Sequence, residues 1–397
     1  MTRCLVCRAR SSTTSEALGV CAACLRAGSK KSLELAVQAH ARPRGEVGLP
    51  SVAPANPATT PCELCVNACR PGDGEPGLCG TREAVGSRVV ARVGTAKAAA
   101  VTFWRDAVPT NCSASWVCPA GSACGYPDYS YAPGIEHGYR NLAVGYYGCT
   151  FDCLYCQSWQ TRSIEGGPRH RADEVAAQVD DQTACICFFG GDPTPQLAHA
   201  VATARLARRR AKAQRRHLRL CFETNGAMSP KLLRTVADLA LESGGVIKVD
   251  LKAWHPGVHQ ALCGAAAERT RENFAYLAGR RKERPGVPLV VATTLLVPGY
   301  VDVEEVRPIA GFVAALGKDI PYGLLAFFPT FYLSDLPATS EQQAERCLAV
   351  ARAAGLARLH LGGRELLREE APAPAVAPRT RRRKPASALA RTRRAAR

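Results

Sequence analysis

From Asn141 onward, short apolar runs alternate with amphipathic segments, and this alternation restricts the architecture more than any single residue does. Runs at 142–147, 184–189, 218–223, 246–251, 288–297 and 322–328 read as strands, and segments near 172–181, 195–213, 229–243, 269–281, 303–316 and 339–354 read as helices. In the fifth of these helices Val306, Ile309, Ala310 and Val313 recur at i, i+3, i+4 and i+7, so they line one face. Six βα units in succession imply a parallel sheet with helical crossovers. The expected fold class is therefore α/β, a partial (β/α)6 TIM-type barrel, with small cysteine-rich metal-binding modules ahead of it. With 397 residues, 47% of them hydrophobic, the chain can bury one large core beside such modules. The expected organisation is a CxxC/CxxC module at 1–30, a linker at 31–61, a cysteine-rich module at 62–140, the barrel at 141–365 and a disordered basic tail at 366–397. In such barrels the chemistry sits on loops after the C-terminal strand ends.

The loop after the first of these strands carries Cys149, Cys153 and Cys156 at spacing C-x3-C-x2-C. An ordinary iron–sulfur cluster takes four cysteines, so three leave one iron open to a ligand that the protein does not supply. A zinc site or a buried trio of small apolar residues is the alternative reading, since free cysteines bury readily. The chain has 19 cysteines, and further sets stand upstream. Cys4, Cys7, Cys21 and Cys24 form two CxxC pairs, a soft four-ligand set that suits tetrahedral zinc, with an iron centre or unmetallated thiols as alternatives. A closed site of this kind is expected to be structural and separable from catalysis. Cys62, Cys65, Cys69 and Cys79 surround Pro/Gly turns, as in a small loop fold pinned by a metal; zinc and a second iron–sulfur cluster both remain open. Cys112, Cys118 and Cys124 fit no ligand set and read either as ligands to a further metal or as plain loop residues.

The Cys149–Cys156 loop resembles the signature of the radical S-adenosylmethionine (SAM) superfamily. That resemblance implies a [4Fe–4S] cluster on Cys149, Cys153 and Cys156 whose fourth iron chelates SAM and cleaves it to a 5′-deoxyadenosyl radical, with Tyr155 beside the adenine. The cysteine string from 62 to 79 is similar to that of the AmmeMemoRadiSam-system radical SAM enzymes, relatives of the pyruvate formate-lyase activating enzyme. Phe189-Gly190-Gly191-Asp192-Pro193 resembles the superfamily's GGE motif, which assigns Gly190, Gly191 and Asp192 to the SAM amino group, although Asp replaces Glu. Glu223-Thr224-Asn225-Gly226 and Asp250-Leu251-Lys252 resemble stretches of the activating enzyme. They imply a monovalent cation on Glu223, Thr224 and Asp250, and contact of Lys252 with the SAM carboxylate; an internal Asp–Lys pair is the plainer alternative. Thr294–Gly299 also looks like the family's segment after the fifth strand. Where the activating enzyme has a histidine after the sixth strand, this sequence offers Phe328, and Phe327 and Phe328 are expected to line and dry the site.

The resemblance further implies an electron donor such as flavodoxin or ferredoxin and hydrogen abstraction from a protein. A small-molecule or RNA substrate is the first alternative, and a non-catalytic zinc and iron–sulfur protein that binds nucleic acid is the second. Charge bears on that last reading. The net charge is +18, and Arg379 to Arg397 carry nine basic residues and no acidic one. Without interleaved aromatics such a tail reads as a solvated segment with at most weak, salt-sensitive nucleic-acid contact. The basic helix around Arg205–Arg219 reads as a solvated outer helix. No apolar run is long enough to span a bilayer, so no membrane association and a cytoplasmic location are expected.

Overall fold

The computed structural model describes residues 1–369, so most of the expected basic tail lies outside the described residues. Strands β1 (Thr2–Arg3) and β2 (Arg10–Ser11) pair antiparallel ahead of three short helices, α1 (Ala22–Ala27), α2 (Lys30–Gln38) and α3 (Ala41–Gly45). A hairpin of β3 (Arg82–Val85) and β4 (Arg88–Ala91) precedes β5 (Ala99–Ala107). The remainder runs β6 (Arg140–Tyr146), β7 (Arg169–His170), α4 (Ala172–Ala176), β8 (Thr183–Gly190), α5 (Leu197–Ala213), β9 (Arg219–Thr224), α6 (Pro230–Ser243) and β10 (Ile247–Asp250). It continues with α7 (Pro256–Cys263), α8 (Glu268–Arg280), β11 (Val290–Leu296), α9 (Val303–Leu316), β12 (Tyr322–Ala326), α10 (Glu341–Ala353) and β13 (Leu359–Gly362).

Nine strands form one sheet in the order β13-β12-β11-β10-β9-β8-β6-β5-β7. Seven of them, β6 and β8 to β13, are parallel and follow one another in chain order, the arrangement of a partial barrel. The six expected strands are all present. The seventh parallel strand, β13, escaped the sequence reading because its four residues carry no apolar run. At the other side β5 pairs antiparallel with β6. Residues 183–188 of β8 are all buried, which is why this strand reads as a continuous apolar run rather than an alternation. Helix α5 packs Leu197, Ala200, Ala204, Ala207 and Ala211 inward and leaves Arg205, Arg209 and Arg210 exposed, the outer basic helix expected. Among the described residues no helix is long and apolar enough to cross a membrane.

Two cores hold the molecule. One lies between the sheet and its helices and includes Val144, Phe188, Phe222, Leu277 and Val313. The second joins Leu18, Val20, Leu25 and Ala36 of the N-terminal region to Phe151, Leu154, Val258, Leu262 and Tyr300. The Tyr300 hydroxyl donates to Val20 O and accepts from Ser15 N, and Arg26 pairs with Asp302 and Glu305. The N-terminal module is thus packed on the barrel, and its removal would uncover Tyr300, Val258 and Leu262. The linker expected at 31–61 is corrected, because Ser29 caps α2 by accepting from Ser32 N, and α2 and α3 run to residue 45. Apart from Pro43 inside α3, the prolines of this stretch begin at Pro50.

Residues 108–139, rich in Gly and Pro, return along the inner face of the sheet. Ala114 and Val117 pack on Val246 and Val291, and Trp116 stacks on His360 of β13 with ring centroids 5.0 Å apart. Glu136 forms a buried two-pronged ion pair with Arg219 of β9, which also donates to Tyr129 O. The inside of the barrel is thereby filled below the cavity described next.

Candidate active site

A cavity of about 710 Å³ opens at the C-terminal ends of the parallel strands. Its wall includes Cys149, Cys153, Tyr155 and Cys156 from the loop after β6, Gly190 to Asp192 after β8, and Glu223, Lys248, Asp250 and Lys252 from β9 and β10. Glycine geometry makes this approach possible. Gly190 has φ +106°, and a Cβ there would lie 2.4 Å from Tyr146 N; a Cβ on Gly191 would lie 2.4 Å from Gly148 O. The loops after β6 and β8 therefore touch, with Gly191 N donating to Tyr146 O and the Cys149 thiol 3.3 Å from Gly191 O.

The cysteine loop is braced from outside the barrel. His40 Nδ1 lies 2.9 Å from Asp152 Oδ2, Arg44 is 3.5 Å from the same oxygen, and Asp152 N and Leu154 N donate to the carbonyls of Cys263 and Leu262. Asn67 of the cysteine-rich module donates to Thr150 O, and Asn225 to Thr150 Oγ1. Burial pushes the Cys149 thiol far up and that of Cys156 up to about 12. A hydrogen bond from Cys263, aided by the Lys252 ammonium, holds Cys153 below its ordinary value. Thiols raised by burial ionise when a metal supplies the compensating charge, so this donor set fits a metal centre.

Spacing separates the cysteine sets. With bonds of about 2.3 Å, a tetrahedral zinc ion sets its sulfurs about 3.8 Å apart. Cys4 and Cys24 sulfurs lie 3.9 Å apart and those of Cys7 and Cys21 3.8 Å apart, and all four fall within 4.8 Å of one another. Neither the Cys149/Cys153/Cys156 trio nor any three of Cys62, Cys65, Cys69 and Cys79 gather so closely among the described residues. The latter four are neighbours nonetheless, since burial first and Cys79 second raise the thiols of Cys65, and both also raise those of Cys62 and Cys69.

The acidic residues behave differently from the sequence expectation. Asp192 is buried; its Oδ1 accepts from Thr194 N and its Oδ2 from the Thr224 hydroxyl and Asn225 N, tying the β8 loop to the β9 loop. Burial raises its carboxyl above the usual range. Of Glu223, Thr224 and Asp250, the two carboxylates flank Lys248 Nζ at 3.0 Å and 3.1 Å, and the Thr224 hydroxyl donates to Asp192. Asp250 also holds Lys252 at 2.7 Å and accepts from Thr293. Lys248 was missed, although it shares the inward face of β10 with Asp250 and Lys252 at i, i+2 and i+4. Tyr155 is buried with its hydroxyl 3.5 Å from Cys263 Sγ, and Lys252 Nζ lies 6.0 Å from its ring centre.

The lining aromatics are also corrected. Phe327 is buried in the second core, and the wall presents Phe189, Trp159 and Phe331 instead. Trp159 and Phe331 stack at 5.8 Å, with Arg162 over Phe331 at 4.7 Å. Phe331 has φ +52°, unusual for a bulky residue. His360 of β13, stacked on Trp116, also lines the cavity.

Residues 144–313 match the model of the radical SAM superfamily, so the chain is an enzyme carrying a radical SAM domain, as its cysteine loop led us to expect. Within that superfamily it is similar to glycyl-radical activating enzymes. The pyruvate formate-lyase 1-activating enzyme of Escherichia coli (strain K12) is 27% identical over 184 residues, 46% of this chain and 68% of the relative. The isethionate sulfite-lyase activating enzyme of Oleidesulfovibrio alaskensis is 33% identical over 172 residues, 41% of this chain and 50% of the relative. Among solved structures, a domain of the pyruvate-formate lyase-activating enzyme from Bacteroides vulgatus aligns with 45% of this chain and 98% of its own at 20% identity and a TM-score of 0.35.

Proposed function

We propose that the protein holds a [4Fe–4S] cluster on Cys149, Cys153 and Cys156, binds SAM across the ends of β8 and β10, and abstracts a hydrogen atom from a protein substrate. The observation that carries this reading is the placement of the three thiols of one loop, Cys149, Cys153 and Cys156, on the wall of a large cavity at the strand ends. When bound, the cluster and SAM supply one-electron cleavage of SAM to methionine and a 5′-deoxyadenosyl radical. The chain's own residues bind, orient and keep the site dry. Lys252 offers its ammonium to the SAM carboxylate; Asp250 keeps Lys248 and Thr293 as partners when Lys252 turns away. Asp192 uses three donors, and an ionised carboxylate has about four acceptor sites, which leaves one for the SAM ammonium beside the Gly190–Gly191 backbone. Tyr155 forms the floor for the adenine. Phe189, Leu325, Ala326 and Phe331 exclude water around the reacting atoms.

A protein substrate is supported by the two relatives, each named as the activating enzyme of another enzyme. The Trp159–Phe331 stack at the cavity offers a peptide segment an apolar contact. A flavodoxin- or ferredoxin-class donor would supply the electron. The tight Cys4/Cys7/Cys21/Cys24 knot is proposed to hold zinc, and the wider Cys62/Cys65/Cys69/Cys79 set a second iron–sulfur cluster. The test is anaerobic reconstitution followed by reduction in the presence of SAM. Wild type should release 5′-deoxyadenosine and Cys153→Ala none, with deuterium appearing in 5′-deoxyadenosine only when a labelled protein substrate is present. Equal release by a folded Cys153→Ala enzyme would sink the assignment.

A further inference from the structure

Below the cluster loop, three ligand-bearing side chains converge that the radical SAM reading does not use. Cys187 of β8, Glu223 of β9 and Cys112 of the inner 108–139 segment place one ligand atom each within 4.8 Å of one another. Register explains the first two. Cys187 pairs with Cys221 across the parallel ladder, so Glu223, two residues further on, projects to the same face. The Cys187 sulfur lies 3.8 Å from Glu223 Oε1, close to the sulfur–oxygen edge of a tetrahedral zinc shell, about 3.6 Å. Cys112 is delivered by a segment with fixed anchors. Its own N–H donates to Thr110, Ala114 N donates to its sulfur at 3.4 Å, and the Trp116–His360 stack and Glu136–Arg219 pair hold the segment against the sheet.

We propose that Cys112, Cys187 and Glu223 form a fourth metal site, for a zinc-class divalent cation, with one open coordination position on the cavity side. Two thiolates and a carboxylate are a soft-to-borderline donor set that selects zinc over magnesium or calcium. Three protein ligands are the hallmark of an ion that keeps a position for water or substrate, whereas a structural site is closed by four. The carboxylate is already oriented from behind. Glu223 gives Oε1 to the cysteine side while Oε2 holds Lys248 at 3.0 Å, the outer-shell hydrogen bond that ligating carboxylates have. Charge also balances: two thiolates, one carboxylate, a divalent ion and the Lys248 ammonium sum to zero. Cys112 and Glu223 both line the 710 Å³ cavity, and with Cys187 they also line a small adjoining pocket, so an ion held by the three has the cavity on the side of Cys112 and Glu223. The ion assignment goes beyond the proposed function; the use of its open position, to anchor an anionic oxygen or sulfur donor of the substrate, rests on that function.

The test uses full-length protein, purified and reconstituted anaerobically, then stripped with a chelator and titrated with Zn(II) and, separately, Co(II). Wild type should bind one more equivalent of zinc than Cys112→Ser or Cys187→Ser, with iron content unchanged. Its cobalt form should lose part of its thiolate-to-metal absorption in each variant. Lys248→Gln, which leaves all three ligands in place, should bind that equivalent about ten- to a hundredfold more weakly. The proposal fails if wild type and the double serine variant, both folded by circular dichroism, carry the same zinc and the same cobalt spectrum. It also fails if peptide mapping of the anaerobic enzyme finds Cys112 and Cys187 joined in a disulfide. Because zinc and iron are counted separately, loss of SAM cleavage with intact zinc would overturn the proposed function and leave this site standing.

Discussion

The N-terminal cysteine knot and the loop after β6 use the same side chain for opposite ends. In the knot, four sulfurs stand at the spacing of one ion's shell and every position is taken. In the loop, three half-buried thiols stand further apart, braced by His40, Arg44 and Asn225, and one side is left to a cavity. Closure makes a metal structural, and an open side makes it available to a ligand. The two regions are nevertheless continuous, since the knot's apolar face packs on α7 and on Phe151 and Leu154 of the loop.

The largest expected effect falls on the closed site. Cys7→Ser should remove one equivalent of zinc and with it about 4 kcal/mol of stability at a thousandfold excess of zinc over its Kd. Thermal unfolding with and without chelator measures this, and the surviving folded protein should still cleave SAM in the cold. Acid comes next. His259 lies behind Phe151, with ring centroids 5.4 Å apart, and burial lowers its pKa from 6.5 to about 4. Folded protein therefore stays neutral at this site while unfolded chain takes a proton, so stability present above pH 6.5 is lost as pH falls toward 4. At about 1.4 kcal/mol per pH unit this loss reaches roughly 3 kcal/mol. Urea unfolding at pH 7 and pH 5 should show about 2 kcal/mol of it, and His259→Asn, which can still donate to Ala265 O, should flatten it.

The open side is probed more gently. Lys252→Ala removes one charged hydrogen bond, worth about 1.5–3 kcal/mol, so calorimetry should find SAM bound about ten- to a hundredfold more weakly with normal iron. Wild-type affinity would leave Lys252 as the partner of Asp250 alone. Smallest is Tyr155→Phe, which deletes only the hydroxyl contact to Cys263 and should cost about 1 kcal/mol of stability.

Local pattern carried the six βα units and the three-cysteine loop, because both are written in consecutive residues. What stayed hidden depends on chain crossing chain. The 108–139 segment has no periodicity, and nothing in it announces that Cys112 will meet Cys187 and Glu223. Lys248 reads as one more strand residue until its ammonium is seen between two carboxylates. His360 sits in a four-residue strand without an apolar run, so nothing in the sequence placed it at the cavity. The helices at 30–45 were masked by the prolines that follow them, and only their contacts with Asp152 show why they matter.

The central claim is that the loop after β6 holds an iron–sulfur cluster with one iron open to SAM. The most direct measurement is electron paramagnetic resonance of the reduced, reconstituted enzyme, before and after SAM is added, beside a Cys149/Cys153/Cys156 triple alanine variant with its iron counted. The account predicts a cluster signal that changes shape on adding SAM, and a variant that lacks about four irons and any SAM-responsive signal. A signal indifferent to SAM, or a variant that keeps its full iron, would contradict it.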